Sequence, residues 1–264
     1  PRAYDVQGIS PDVLIDYTPE LRAEAQRLIA NYRIGPLFTP PSMFDPVGTW
    51  GTLTAPSLTG GTNWPGGCYD PESHIVYVYS KTVADVMSTV RNTDRTASDF
   101  DYVNIRSSYG EVERDGFKPG ELTVQGLPLL KPPYGRITAI NLTNGAIAWQ
   151  IAHGETPDEV RNHPALKGVT IPRTGRPGSL GPLTTKTLVI CGEAGFFTNP
   201  SGVRGAMLRA YDKATGEEKG AVQLPAPQTG SPMTFLLGGV QYLVLAIGGG
   251  NHSSEIVAFR LPRA

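Results

Sequence analysis

The chain has 264 residues, a formal net charge of −1, 39% hydrophobic and 18% charged residues, 31 glycines and 24 prolines. That balance describes a folding sequence rather than a solvated tail, and near-neutrality excludes a dedicated nucleic-acid binder, which carries a basic excess. No apolar run approaches the ~18–20 residues of a membrane-spanning helix.

The first 47 residues differ from the rest. Leu21, Ala25, Leu28, Ile29 and Tyr32 recur with helical spacing. Thr18 suits the N-cap, Pro19 the first helical position and Glu20 the positive end of the dipole. Gly35-Pro36 is the stop signal. The spacing predicts a helix over 19–33 and an extended, proline-rich stretch over 36–46. One amphipathic helix makes no core alone, so 1–47 reads as a helical and extended excursion from another scaffold.

From residue 48 the pattern becomes short strands bounded by Gly, Pro, Asn and Asp. Runs rich in β-branched and aromatic residues fall at 75–79, 136–140, 187–190, 207–211, 242–245 and 255–259. Residues 83–133 are more polar, hold few strand signals and read as a long insertion between two strands of one unit. Cys68 and Cys191 lie in strand-like runs far apart, which is neither a disulfide framework nor a metal knuckle, and reads as two reduced thiols. His74, His153, His163 and His252 lack metal-ligand spacing. Glu111, Glu113 and Asp115 read as a solvated face.

The strands repeat. Residues 139–149, Ala-Ile-Asn-Leu-Thr-Asn-Gly-Ala-Ile-Ala-Trp, match 210–220, Ala-Tyr-Asp-Lys-Ala-Thr-Gly-Glu-Glu-Lys-Gly. In each copy a strand ends in Asn141 or Asp212, suited to close a turn, and Gly145 or Gly216 supplies positive φ. Each copy reads as the outer hairpin of a four-stranded unit, preceded by a hairpin over 66–80 or 180–191. A third unit begins at Gly230, with strands at 233–237, 242–246 and 256–261. A further outer strand is expected near Trp50–Ala55. Four antiparallel strands per unit, repeated at variable spacing, mark a β-propeller; a generic sandwich with coincidental turns is the alternative. About three units do not close a ring of roughly four to eight blades. The expectation is therefore an all-β partial propeller over 48–264 that forms the C-terminal part of a larger protein.

The segment Ala139…Gly145…Trp149 resembles the tryptophan-docking motif of the quinoproteins, eight-bladed propeller dehydrogenases that use pyrroloquinoline quinone (PQQ). Gly220 departs from it, so the second copy lacks the tryptophan. Gly60-Gly61-Thr62-Asn63-Trp64-Pro65-Gly66-Gly67 resembles the cofactor-facing start of a blade. Gly230-Ser231-Pro232-Met233-Thr234-Phe235 and Gly248-Gly249-Gly250-Asn251 resemble the final blade. Arg161–Lys167 and Pro225–Thr229 are similar to the membrane-bound glucose dehydrogenase branch.

The resemblance implies that Asn63 and Trp64 contact PQQ, with Gly249, Gly250 and Asn251 near the cofactor mouth. An amide can donate to a quinone or carboxylate oxygen, an indole offers a flat face and an N–H, and glycines allow close backbone approach. The alternative is that Asn63 caps a turn, Trp64 packs in a core and 248–252 is a flexible loop. Phe196 or Phe197 would wall the substrate entry or simply pack. The resemblance further implies a sugar or alcohol substrate, plausibly glucose, and a Ca²⁺ ion. It implies ubiquinone or a cytochrome as electron acceptor and a periplasmic location, with no nucleic-acid partner and no membrane contact in this segment. No segment matches the family's catalytic aspartate or its calcium ligands. No catalytic or metal-binding residue is therefore assigned, and the chain alone is expected to be inactive. Two other readings are a non-catalytic propeller-repeat scaffold and a small lectin-like sandwich.

Overall fold

The computed structural model describes residues 2–104, 111–199 and 201–260. The chain forms two compact units: one comprises Pro1–Tyr4, Thr62–Lys81 and Pro132–Ala264, the other Asp5–Gly61 and Thr82–Lys131. The expected division at 47/48 thus runs through the interior of the second of these.

The larger unit is a series of antiparallel sheets. The first is four-stranded, in the order Gly67–Asp70, Ile75–Lys81, Gly135–Asn141, Ile147–Ala152. The second runs Leu183–Thr184, Leu188–Gly192, Arg204–Asp212, Glu218–Leu224, with the short strand Phe197–Thr198 also paired to the start of Arg204–Asp212. The third has the strands Gln228–Leu237, Val240–Gly249 and His252–Arg260. Leu261, expected in the last strand, lies outside the described residues.

The repeated hairpins owe their form to their turns. The Asn141 Oδ1 accepts the Thr143 N–H at 2.8 Å and the Asp212 Oδ1 accepts the Ala214 N–H at 2.9 Å. Gly145 and Gly216 sit at φ 70° and 76°, where a side chain is strained. Inward-facing residues of consecutive sheets then share cores. Tyr77, Tyr79, Ile137, Ala139 and Trp149 pack with Leu180, Val189, Cys191 and Tyr211 between the first and second sheets. Ala206, Leu208 and Leu224 pack with Ala226, Leu245 and Ile247 between the second and third. Cys68 and Cys191 are free, and burial pushes the Cys68 thiol up to about 12.

The smaller unit corrects three expectations. Its helix covers Pro19–Ile29, capped by the Thr18 hydroxyl as expected, but ends before residue 33. Asn31 and Tyr32 switch to the tighter bonds Asn31 N–H to Leu28 O (3.2 Å) and Tyr32 N–H to Ile29 O (3.0 Å), and the Asn31 side chain also donates to Leu28 O. The strand expected near Trp50–Ala55 exists as Thr52–Thr54, yet it pairs with Asp85–Arg91, not with a propeller sheet. Residues 82–131 are richer in strand than their polarity suggested. Asp85–Arg91 also pairs with Ser42–Met43 and Tyr102–Asn104, and Thr123–Val124 pairs with Leu127–Pro128. Even so, Ile75–Lys81 and Gly135–Asn141 are direct neighbours in register, so the residues between them are an insertion within one sheet.

Candidate functional site

One end of the larger unit collects the segments at or just before the start of each sheet's first strand and those that join second to third strands. The first group is 63–66, Gly181 and Gln228–Ser231; the second is 193–203 and 250–251. Backbone bonds fix their common position. Gln228 N–H donates to Glu193 O (3.0 Å), Gly248 N–H to Pro227 O (2.9 Å) and Gly181 N–H to Gly230 O (3.2 Å). Ser231 Oγ donates to Pro65 O at 2.9 Å.

Asn63 shapes a tight turn. Its Oδ1 accepts the N–H of Trp64 at 2.7 Å, and its carbonyl accepts the N–H of Gly66 at 2.7 Å. Trp64 is 97% exposed, so its indole is not core packing. An exposed indole normally minimises its contact with water; here the turn presents it outward.

Gly250 and Asn251 form the hairpin tip between Val240–Gly249 and His252–Arg260, with Gly249 and Gly250 at φ 121° and 57°. A Cβ on Gly250 would lie 3.2 Å from the Phe196 ring, whereas one on Gly249 would meet nothing within 4 Å among the described residues. Phe197 is buried, and Phe196 is half-buried beneath the Arg204 guanidinium at 4.9 Å. Of the two, Phe196 is therefore the one beside the hairpin tip.

The histidines have local partners. His153 is buried with Nε2 2.9 Å from Gly192 O and Nδ1 2.8 Å from Tyr211 Oη. A carbonyl only accepts, so Nε2 carries the proton and Nδ1 accepts from the phenol. Burial holds this ring neutral and pushes its pKa down to about 4. His74 meets Tyr69 Oη, His163 accepts the Ala165 N–H, and His252 lies 3.4 Å from Glu255. Glu111, Glu113 and Asp115 are exposed.

The residue pattern did not reveal a buried ion network. Arg209, 4% exposed, donates to Glu193 (2.7 Å), Glu155 (2.6 Å) and Glu218 (2.8 Å). Arg173 joins Glu218 and Glu155 from the rim. Burial pushes the Glu193 carboxyl up while Arg209 pulls it back. Gln228 was also overlooked. It is buried, accepts the Gly192 N–H at 2.7 Å and donates to Gly181 O (3.0 Å) and Gly230 O (2.8 Å). A Gln at the first position of a strand carries no sequence signal for such a role.

Consecutive antiparallel sheets with a tryptophan docked between two of them define a propeller-type scaffold. Residues 1–243 match the family described as PQQ glucose/ethanol/alcohol dehydrogenase, beta-propeller domain, and the chain belongs to that family of quinoprotein oxidoreductases. It is 28% identical over 237 residues to a probable quinate dehydrogenase (quinone) of Xanthomonas campestris pv. juglandis, covering 82% of this chain and 28% of the relative. It is 28% identical over 280 residues to a glycerol dehydrogenase large subunit of Gluconobacter thailandicus, covering 98% and 35%. It is 26% identical over 252 residues to a quinoprotein glucose dehydrogenase of Gluconobacter oxydans, covering 85% and 28%. The chain spans about a third or less of the length of these curated relatives.

Proposed function

We propose that this chain supplies one wall of a PQQ site in a dehydrogenase that oxidises a sugar or alcohol, with glucose as the first substrate to test. The observation that carries this is Trp64: an indole 97% exposed, presented by a turn that Asn63 closes, in a chain of a PQQ family. The donor set fits the group. A flat face, an amide and the open backbone at Gly249 suit a planar, anionic tricarboxylate. In this reading Trp64 lies against the ring system, Asn63 donates to one of its oxygens, and Gly249, Gly250 and Asn251 border the mouth with Phe196. When bound, PQQ with Ca²⁺ supplies a polarised quinone that accepts hydride from a carbinol carbon. The residues described here bind and orient.

The relatives' names span quinate, glycerol and glucose, so the substrate stays a matter for assay. In this reading specificity lies in loops that vary around a shared cofactor wall. Electron transfer to ubiquinone or a cytochrome, and a periplasmic setting, are part of the same proposal. The third sheet leaves Met233, Phe235 and Ile256 exposed on one face, a face that a further propeller sheet would cover.

Titration with PQQ and Ca²⁺, followed by absorbance and tryptophan quenching, tests the reading. Asn63→Ala and Trp64→Phe are each expected to weaken binding by about tenfold, the equivalent of one lost hydrogen bond or stacking contact. Unchanged affinity in both variants would overturn it and favour a non-catalytic module. The 264-residue chain loaded with PQQ is expected not to reduce a dye acceptor with glucose; turnover would remove that part of the proposal.

A further inference from the structure

Trp64 touches little that could hold it, so its direction depends on its backbone. Within three residues that backbone is gripped from a remote part of the chain. The Ser231 hydroxyl donates to the Pro65 carbonyl at 2.9 Å across 166 residues of sequence. The Ser231 side is itself rigid. Gly230 O accepts both from Gln228 Nε2 at 2.8 Å and from Gly181 N–H at 3.2 Å, and Leu180 and Gly230 form a parallel bridge. Gly181 closes the assembly: a Cβ there would lie 2.2 Å from Ser231 Oγ and 2.4 Å from Pro65 O. Three segments at or just before the start of the first strand of three successive sheets thus meet at one point, and only a hydrogen leaves room for the bond.

We infer that Ser231 is a positioning residue, whose hydroxyl clamps the Pro65 carbonyl and so fixes the direction in which Trp64 faces the cofactor. The clamp rests on the reading of Trp64 as a PQQ contact, but it acts in the cofactor-free protein as well. Ser231 touches no reacting atom. It converts the packing of the third sheet against the second into a fixed orientation for a residue on the first, which lowers the ordering cost of binding a planar ligand.

The three tryptophans make the test direct, because Trp50 and Trp149 are buried at 0% and 9% exposure while Trp64 stands at 97%. Time-resolved fluorescence anisotropy, with the Trp64→Phe variant subtracted, isolates Trp64 without cofactor. Ser231→Ala is expected to enlarge the fast, mobile component of Trp64 and to raise the PQQ dissociation constant about two- to tenfold, the span of one hydrogen bond. Ser231→Thr keeps a hydroxyl and is expected to restore both. Gly181→Ala pushes on the same oxygen pair and is expected to loosen Trp64 from the other side. Trp64 mobility unchanged in Ser231→Ala overturns the clamp, whatever the PQQ affinity. A loosened Trp64 with PQQ affinity unchanged in both Ser231→Ala and Trp64→Phe supports the clamp and overturns the reading of Trp64 as a cofactor contact.

Discussion

The two seams between successive propeller sheets solve the same problem by different means. At the first seam Trp149 from the outer strand of the first sheet reaches across and donates its Nε1–H to Lys213 O at 3.0 Å. Tyr77 Oη donates to the same carbonyl at 3.0 Å. The indole lies on Gly216, where a Cβ would be 2.8 Å from its ring, and Lys213 Nζ pairs with Asp70 at 2.7 Å. The second seam has Gly220 where the tryptophan would stand, and a Cβ there meets nothing within 4 Å among the described residues. Its directional contacts are at the opposite end, where Gln228 of the third sheet bonds Gly192 and Gly181 of the second sheet's segments. A docking tryptophan ties two sheets far from the candidate site; a buried amide ties them beside it.

That contrast is broken most sharply at Trp149. Trp149→Ala removes a large, nearly buried ring and leaves Lys213 O with one donor fewer. The expected cost is about 3–5 kcal/mol, measured by urea unfolding of the chain. At the second seam, Gln228→Ala leaves the buried Gly192 N–H and Gly181 O without these partners, at an expected cost of about 2–3 kcal/mol. The two variants should also separate in function. Gln228→Ala is expected to weaken PQQ binding beyond its effect on unfolding, because the amide fixes the mouth segments. At equal residual stability, Trp149→Ala is expected to leave PQQ affinity closer to that of the parent. Equal affinity losses would show that neither seam acts locally.

The seams also differ in how far they could be read from residues. The hairpins at 139–149 and 210–220 were legible because their turn chemistry is local: Asn141 and Asp212 bond N–H groups two residues on, and the glycines sit where only they are comfortable. The docking of Trp149 was legible through resemblance to a repeated motif. The Arg209 network was hidden because its partners lie up to 54 residues away on three segments, each bland by itself. Ser231 and Pro65 are further apart still. The strand Asp85–Arg91 was obscured by Ser88, a polar residue on its buried face, which is satisfied by donating to Trp50 O. Composition reads such a residue as exposed, whereas the fold gives it a partner.

The first seam carries titratable groups at both ends, and they should act in separate pH ranges. His153, at the mouth end, has its pKa lowered from 6.5 to about 4, chiefly by burial. The unfolded chain therefore binds a proton that the folded chain refuses between those values, and stability is lost as pH falls from about 6.5 to about 4. Asp70, at the far end, is lowered from 3.8 to about 2 by the hydrogen bonds from Lys213 and Ser73. Its contribution is present above about pH 4 and is lost as pH falls toward 2. Melting temperature followed against pH is expected to lose the upper slope in His153→Gln and the lower one in Asp70→Asn. A single slope removed by either variant would mean that the two ends titrate as one unit.

The smallest effect is expected where the repeat is degenerate. Gly220 lies within the strand Glu218–Leu224 opposite Ala210, as Trp149 lies opposite Ala139. A Gly220→Trp substitution restores the motif in sequence. Its Cβ enters open space, and the loss of glycine's backbone freedom in the unfolded chain favours the variant slightly. The core of the second seam, however, is already filled by Leu208, Leu224 and Leu245. The expected change is within about 1 kcal/mol, with the new tryptophan emitting as a solvent-accessible residue. A blue-shifted emission with a gain of more than about 2 kcal/mol would mean that the second seam has kept a docking slot. The contrast between the seams would then be one of occupancy alone and not of design.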